Sequence, residues 1–246
     1  ALNVLEPGEI AATAGTSGVV FGVSDRAVSD PGCRVNTFVH VTNGSGRPRN
    51  GVMICVNGTG ILYSWLKRMC AEAMDYNAMN ELAAAVPPGA DGLMIFPYGN
   101  GAERTLGNRD IHASIRGLDF NRHDRRHLSR AAQEGIVYAL AYGITVMRDL
   151  GMTLDTVRAG RANMFLSPVF REVFVNVTGL TLELYETNGA QGAARGAGLG
   201  AGIYGSFAEA FVGLARLERE GPEPKRAARY RELFGHWEER LRTMLE

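Results

Sequence analysis

Cysteine pairs, an excess of either charge, long apolar runs and a P-loop are all missing from this sequence, and each absence removes a class of function. The three cysteines, Cys33, Cys55 and Cys70, are an odd number with no Cys-x-x-Cys pair, which fits a reducing compartment better than a disulfide framework. Lys+Arg and Asp+Glu stand at 26 each, so no global field draws in nucleic acid or an anionic membrane. No apolar run reaches the ~20 residues of a membrane helix. Nothing at the start resembles a signal peptide, and the expected location is the cytoplasm. No Gly-x-x-x-x-Gly-Lys-[Ser/Thr] occurs, which excludes a P-loop.

Glycine is abundant. Of its 31 residues, 13 cluster at 15–22, 99–107 and 189–205, where turns and close packing use it. In the first cluster, two β-prone runs, Ile10–Ala14 and Val19–Val23, flank Gly15-Thr16-Ser17-Gly18, which predicts a tight β-hairpin. Its tip exposes backbone N–H groups and two hydroxyls, a cradle suited to phosphate oxygens. On this motif alone a purely structural turn is the simpler account of the glycines.

The remaining pattern predicts strands at Asn36–Thr42 and Val52–Val56, forming a meander beside the hairpin. A helix over 60–85 follows, with Leu62, Trp65, Leu66, Met69 and Cys70 on its apolar face. A short strand at Leu93–Phe96 leads into an irregular loop over 97–112. The longest helix covers 125–150, capped near Asp124 and ended by Gly151. Then come a strand at Thr156–Ala159, a helix at Pro168–Val177, a strand at Leu180–Tyr185, a small-residue helix at Gly192–Leu214, and a charged helix from Glu223 to the end. Ala227, Tyr230, Leu233, Phe234, Trp237 and Leu241 form the stripe of that last helix. With 46% apolar residues and no linker or repeat, the expectation is one α/β domain over 1–246. Residues Ala1–Glu6 read as the tail of a helix stopped by Pro7-Gly8, as though the chain began part-way through an element.

Two further glycine turns offer helix-start N–H groups: Asn57-Gly58-Thr59-Gly60, and the segment from Gly160 through Asn163 to Ser167-Pro168. Each is also an ordinary strand–helix connection. Gly200–Gly205 satisfies the GxGxxG pattern but follows no strand, so a dinucleotide fold is rejected. His123 and His127 have helical ligand spacing without a third partner, and no metal site is expected. The loop carboxylates Asp25, Asp30, Asp110 and Asp119 are not marked out as a base. The residues themselves describe a phosphate or nucleotide binder without a visible catalyst.

Taken together, these segments resemble the C-terminal domain of the FGGY carbohydrate kinases, most closely the xylulokinase-like branch. Gly15-Thr16-Ser17 is similar to that family's second phosphate loop, and Gly60 to Leu66 to its glycine-then-Trp-Leu helix start. Phe96-Pro97-Tyr98 with Gly101 to Thr105 is similar to its PY…GERTP segment. Ala113 to Leu118 and His127 to Glu134 resemble its second signature, with Gln133 in place of an apolar residue. Gly192-Ala193-Ala194 is similar to the GAA opening its penultimate helix. The resemblance implies an actin-like ATPase fold of the ribonuclease H type, a mixed sheet with an antiparallel first three strands and flanking helices. It implies ATP with Mg²⁺, and nucleotide contacts at Gly15, Thr16, Ser17, Gly60, Gly160 and Asn163. The family's GGGA segment stands here as Ala159-Gly160-Arg161-Ala162. The family's catalytic aspartate and its N-terminal sugar-binding domain would lie upstream of Ala1. No catalytic residue is therefore expected within this chain, and the chain alone is expected to be inactive. The implied activity is ATP-dependent phosphorylation of a sugar hydroxyl, that of a ketopentose such as D-xylulose. Expected partners are ATP or ADP, a sugar held by the missing domain, and a second copy in a homodimer. The alternative is a non-catalytic actin-like interaction module.

Overall fold

The computed structural model describes residues 1–246. Strands β1 (Glu9–Ala14) and β2 (Gly18–Ser24) pair antiparallel with Ala14 opposite Gly18, closing the expected hairpin on a three-residue tip. Strands β3 (Asn36–Val39) and β4 (Asn50–Val56) follow. β4 pairs with both β2 and β3, so the chain skips a position and returns to fill it instead of forming a simple meander. The inward residues Val52, Ile54 and Val56 explain the insertion. They are completely buried, a position that an edge strand could not give them.

The expected helix over 60–85 is two helices, α1 (Gly60–Cys70) and α2 (Tyr76–Ala84). Asp75 interrupts it, because its carboxylate accepts the Ala78 amide at 2.8 Å and starts a new helix. The expected apolar face shifts accordingly: Tyr63 and Leu66 are buried, whereas Trp65 and Met69 face outward. Strand β5 (Met94–Phe96) pairs with β6 (Ser114–Arg116), a strand the pattern does not announce, in a separate two-stranded ribbon.

Helix α3 (Arg125–Asp149) buries 18 of its 25 residues, so it forms the central layer and not a surface. Asp124 and His127 form a reciprocal cap at its start. His127 also meets Asp91 at 3.2 Å, so this histidine pair anchors a helix end. No group of three or more His, Cys, Asp or Glu side chains could hold a metal ion.

Strand β7 (Thr156–Gly160), helix α4 (Pro168–Thr178) and strand β8 (Thr181–Tyr185) form a βαβ unit, with β7 parallel to both β1 and β8. The expected helix over 192–214 is shorter. Helix α5 (Gly189–Gly200) ends among glycines, and only a single turn, α6 (Phe207–Ala210), follows. The segment over 200–205 is thus a turn after a helix. Strand β9 (Arg216–Glu220) pairs antiparallel with β8 as an edge strand. Its Arg-Leu-Glu-Arg-Glu sequence lacks an apolar face, which hides it from a periodicity search. Helix α7 (Pro224–Leu245) closes the chain. The main sheet runs β3-β4-β2-β1-β7-β8-β9. Residues Ala1–Leu5 are not helical. The Leu5 and Glu6 amides instead donate to the Glu9 carboxylate at 2.8 and 2.9 Å. No helix is long and apolar enough to cross a membrane.

Candidate functional site

The tip of the β1–β2 hairpin is fixed from outside. Gly60 N donates to Gly15 O at 2.8 Å and Ile61 N to Thr16 O at 3.1 Å. The first amides of α1 are therefore taken by the hairpin and not offered to a ligand, contrary to the expectation for this second glycine turn. In a trans peptide the N–H points opposite to its carbonyl. Pinning those two carbonyls on α1 turns the Thr16 and Ser17 amides outward. The amides of Gly15, Thr16 and Ser17 donate to no acceptor in the protein. Three neighbouring bare N–H groups at an exposed tip make a strong anion cradle. Gly60 must be glycine here, since a Cβ would stand 2.4 Å from Gly15 O.

Below the tip opens a cleft of about 460 Å³, lined by residues of the hairpin, α1, α2 and the turn before α4. Gly15, Thr16, Gly60 and Asn163 all line it. Asn163 takes a left-handed backbone with φ of 54°, and its amide nitrogen lies 3.6 Å from where a Gly15 Cβ would stand. Ser17 and Gly160 are not among its lining residues. Gly160 ends β7 against the next connection, where a Cβ would meet Thr187 O at 2.9 Å. Arg161 N continues the ladder to Tyr185 O at 3.0 Å.

Several further residues line the cleft. Tyr63 and Tyr76 stack at 5.9 Å, and Tyr76 stays nearly half exposed at 46%. Asn77 and Asn80 come from α2, and Met164, Leu166 and Ser167 from the turn before α4. The available signal is Asp75, a helix cap inside an apparently continuous helix, which brings α2 back over the cleft. Under the floor, Gln133 is completely buried and polar. It donates to Tyr63 Oη at 2.9 Å and accepts from Ser167 Oγ at 2.7 Å.

Behind the tip, Glu103 accepts from Asn57 N at 2.8 Å. Burial pushes its carboxyl up to about 7. No carboxylate lines the cleft. The site can thus bind an anion at one end and a flat, partly apolar group at the other, but offers no base of its own.

A family profile described as the C-terminal domain of the FGGY family of carbohydrate kinases matches residues 10–204. The chain belongs to the FGGY family of carbohydrate kinases. It is 29% identical over 238 residues to a xylulose kinase of Bacillus subtilis (strain 168), covering 94% of this chain and 46% of that one. It is 32% identical over 151 residues to a gluconokinase of Bacillus licheniformis, covering 56% and 28%. The crystal structure of xylulose kinase from Rhodospirillum rubrum superposes with a TM-score of 0.85 at 26% identity, over 98% of this chain and 48% of that one. The chain thus spans about half the length, or less, of these relatives. Its mixed sheet and flanking helices are the actin-like ATPase fold of the FGGY kinases.

Proposed function

We propose that residues 1–246 form the nucleotide-binding domain of an FGGY sugar kinase, which phosphorylates a sugar hydroxyl at the expense of ATP. The observation that carries this reading is the set of three bare amides at the Gly15–Ser17 tip, held over a cleft large enough for a nucleoside. A ketopentose such as D-xylulose is the favoured substrate, on the strength of the xylulose kinases among the relatives. The gluconokinase match keeps the class at sugars and sugar acids. A cytoplasmic setting belongs to the same reading and suits the unpaired Cys33, Cys55 and Cys70.

The reaction would be an in-line displacement. The acceptor hydroxyl oxygen bonds to the γ-phosphorus, the bond to the β,γ-bridging oxygen breaks, and ADP leaves. The Thr16 and Ser17 amides and the Thr16 hydroxyl would hold and orient phosphate oxygens, an electrostatic and positioning contribution. Gly60 would set the tip, and Asn163 would meet the nucleoside, with Gly160 shaping the turn behind it. The hydroxyl proton needs a base, and the cleft contains no carboxylate to take it. That role belongs to the sugar-binding half. For the same reason the residues lining the cleft do not fit a directly bound Mg²⁺, and no step here runs through one.

Titration calorimetry of the 246-residue chain with Mg·ADP tests the reading. The expected result is binding in the millimolar range or tighter, weakened at least fivefold in Thr16→Val. Absence of both heat and a thermal shift at millimolar ADP would overturn it.

A further inference from the structure

The floor of the cleft contains a continuous chain of hydrogen bonds. Ser167 caps α4, its Oγ accepting from the Phe170 amide at 3.4 Å. Its single hydroxyl proton goes to Gln133 Oε1 at 2.7 Å. Gln133 turns its amino group the other way, to Tyr63 Oη at 2.9 Å and Asn80 Oδ1 at 3.1 Å. Tyr63, receiving one proton, gives its own to Asn80 Oδ1 at 3.0 Å. Burial raises the Tyr63 hydroxyl well above its usual range, so that proton stays in place. Asn80 Oδ1 thus accepts twice, and reversing either amide alone would set two donors or two acceptors against each other.

The consequence falls on the other half of Asn80. Its amino group bonds to nothing in the protein, and the residue lines the same cleft as Gly15 and Thr16. A side chain able both to donate and to accept has been reduced to a donor facing the cleft. Beside it the Tyr63–Tyr76 pair, Met164 and the half-exposed Leu166 supply apolar surface for a planar ring. A donor fixed at the edge of an apolar slot selects a flat ring that presents an acceptor.

We propose that Asn80 is a specificity-determining residue of the nucleotide site, its amino group donating to a ring nitrogen of adenine. This rests on the reading of the cleft as a nucleotide site. It adds that base recognition runs from α3 through Gln133 to α2, away from the glycine turns that hold phosphate. Gln133 is then a positioning residue: it never meets the ligand and acts by orienting Asn80.

The test uses calorimetry on the full 246-residue chain with Mg·ADP, Mg·pyrophosphate, and the 1-deaza, 3-deaza and 7-deaza analogues of ADP. Each analogue replaces one of adenine's three free ring nitrogens by C–H. On the unmodified chain one analogue is expected to bind about fivefold weaker than ADP, the worth of one hydrogen bond. In Asn80→Ala that difference should vanish. Asn80→Asp, which sets a carboxylate against the ring nitrogen, should weaken ADP about tenfold and leave pyrophosphate unchanged. If all three analogues match ADP on the unmodified chain, the proposal is overturned, with no variant needed. Should Thr16→Val weaken ADP and pyrophosphate alike while the analogues bind as ADP does, this proposal alone falls. Failure of ADP itself to bind removes it together with the nucleotide reading.

Discussion

Glu103 sits behind the fingertip with one carboxylate oxygen on the Asn57 amide and the other without a partner. It is 1% exposed, and two further buried hydroxyls, Tyr98 Oη and Thr105 Oγ1, also lack partners in the protein. Burial raises its carboxyl from 4.5 to about 7, against the two loop amides that favour the charged form. With a folded value above the unfolded one, the folded state binds the proton more tightly, so this group's contribution is complete below about 4.5 and is lost as pH rises to about 7. Glu103→Gln keeps an acceptor for Asn57 N and removes the titration. Urea unfolding of both proteins at pH 5 and pH 8 should show Glu103→Gln gaining on the parent as pH rises. Parallel pH profiles would mean that Glu103 is not titrating in this window. Gln133 is likewise a polar residue at a buried position of α3. Its polarity is accounted for by three hydrogen bonds, to Tyr63, Asn80 and Ser167.

At the scale of elements, the hairpin tip depends on α1 for its direction. Gly60→Ala places a methyl 2.4 Å from Gly15 O and 3.0 Å from its carbon, both backbone atoms that cannot swing aside. The tip must shift and lose its bonds to α1. ADP affinity should fall about tenfold, as expected when one or two charge-assisted hydrogen bonds to phosphate are misaligned. Gly196→Ala in α5 meets nothing within 4 Å and provides the control. It should leave ADP affinity unchanged and raise stability by about 0.5–1 kcal/mol. Equal ADP affinities for both variants would refute the pinned-tip account. The hairpin, α3 and the βαβ unit were legible in the sequence because apolar period, cap and turn coincide there, as at Asp124 and Gly151. Strands β6 and β9 were not, since Ser114–Arg116 is too short to show a period and Arg216–Glu220 has four charged residues around the single apolar Leu217. The cleft was half legible. Glycine announces the phosphate end through backbone geometry, whereas Tyr63, Asn80 and Gln133 meet only through the packing of three helices, which no local pattern encodes. The break at Asp75 is the exception, and it sets the angle of α2.

At the scale of the whole molecule, α7 fastens the layers together, and it lies beyond the stretch over 10–204 that matches the family profile. Trp237 is its anchor. It is completely buried, stacks on Phe96 at 5.0 Å and donates Nε1–H to Ile95 O at 3.1 Å, tying the helix to the β5–β6 ribbon. One and two turns earlier, Phe234 and Tyr230 extend the contact. Tyr230 joins Arg130 of α3 and Glu172 of α4, and Arg130 also pairs with Glu134 at 2.7 Å. Helix α7 thus clamps the central helix, the crossover helix and the ribbon at once. Two substitutions separate packing from hydrogen bonding at the anchor. Trp237→Phe retains most of the ring but leaves Ile95 O bare, which costs about 1–3 kcal/mol. Trp237→Ala also opens a cavity between Phe96 and Tyr138 and should cost about 3–5 kcal/mol. Urea midpoints for the three proteins measure both steps. If α7 were an appendage to an already stable sheet, both variants would unfold near the parent midpoint. A single cooperative transition moving in the order parent, Phe, Ala would instead make the helix part of the fold's cooperative unit. The cleft's floor shares α3 with that clamp, so in a single cooperative unit ADP binding by Trp237→Ala should be lost in step with the folded fraction as urea approaches its midpoint, and binding that outlasts the unfolding of α7 would place the helix outside the unit.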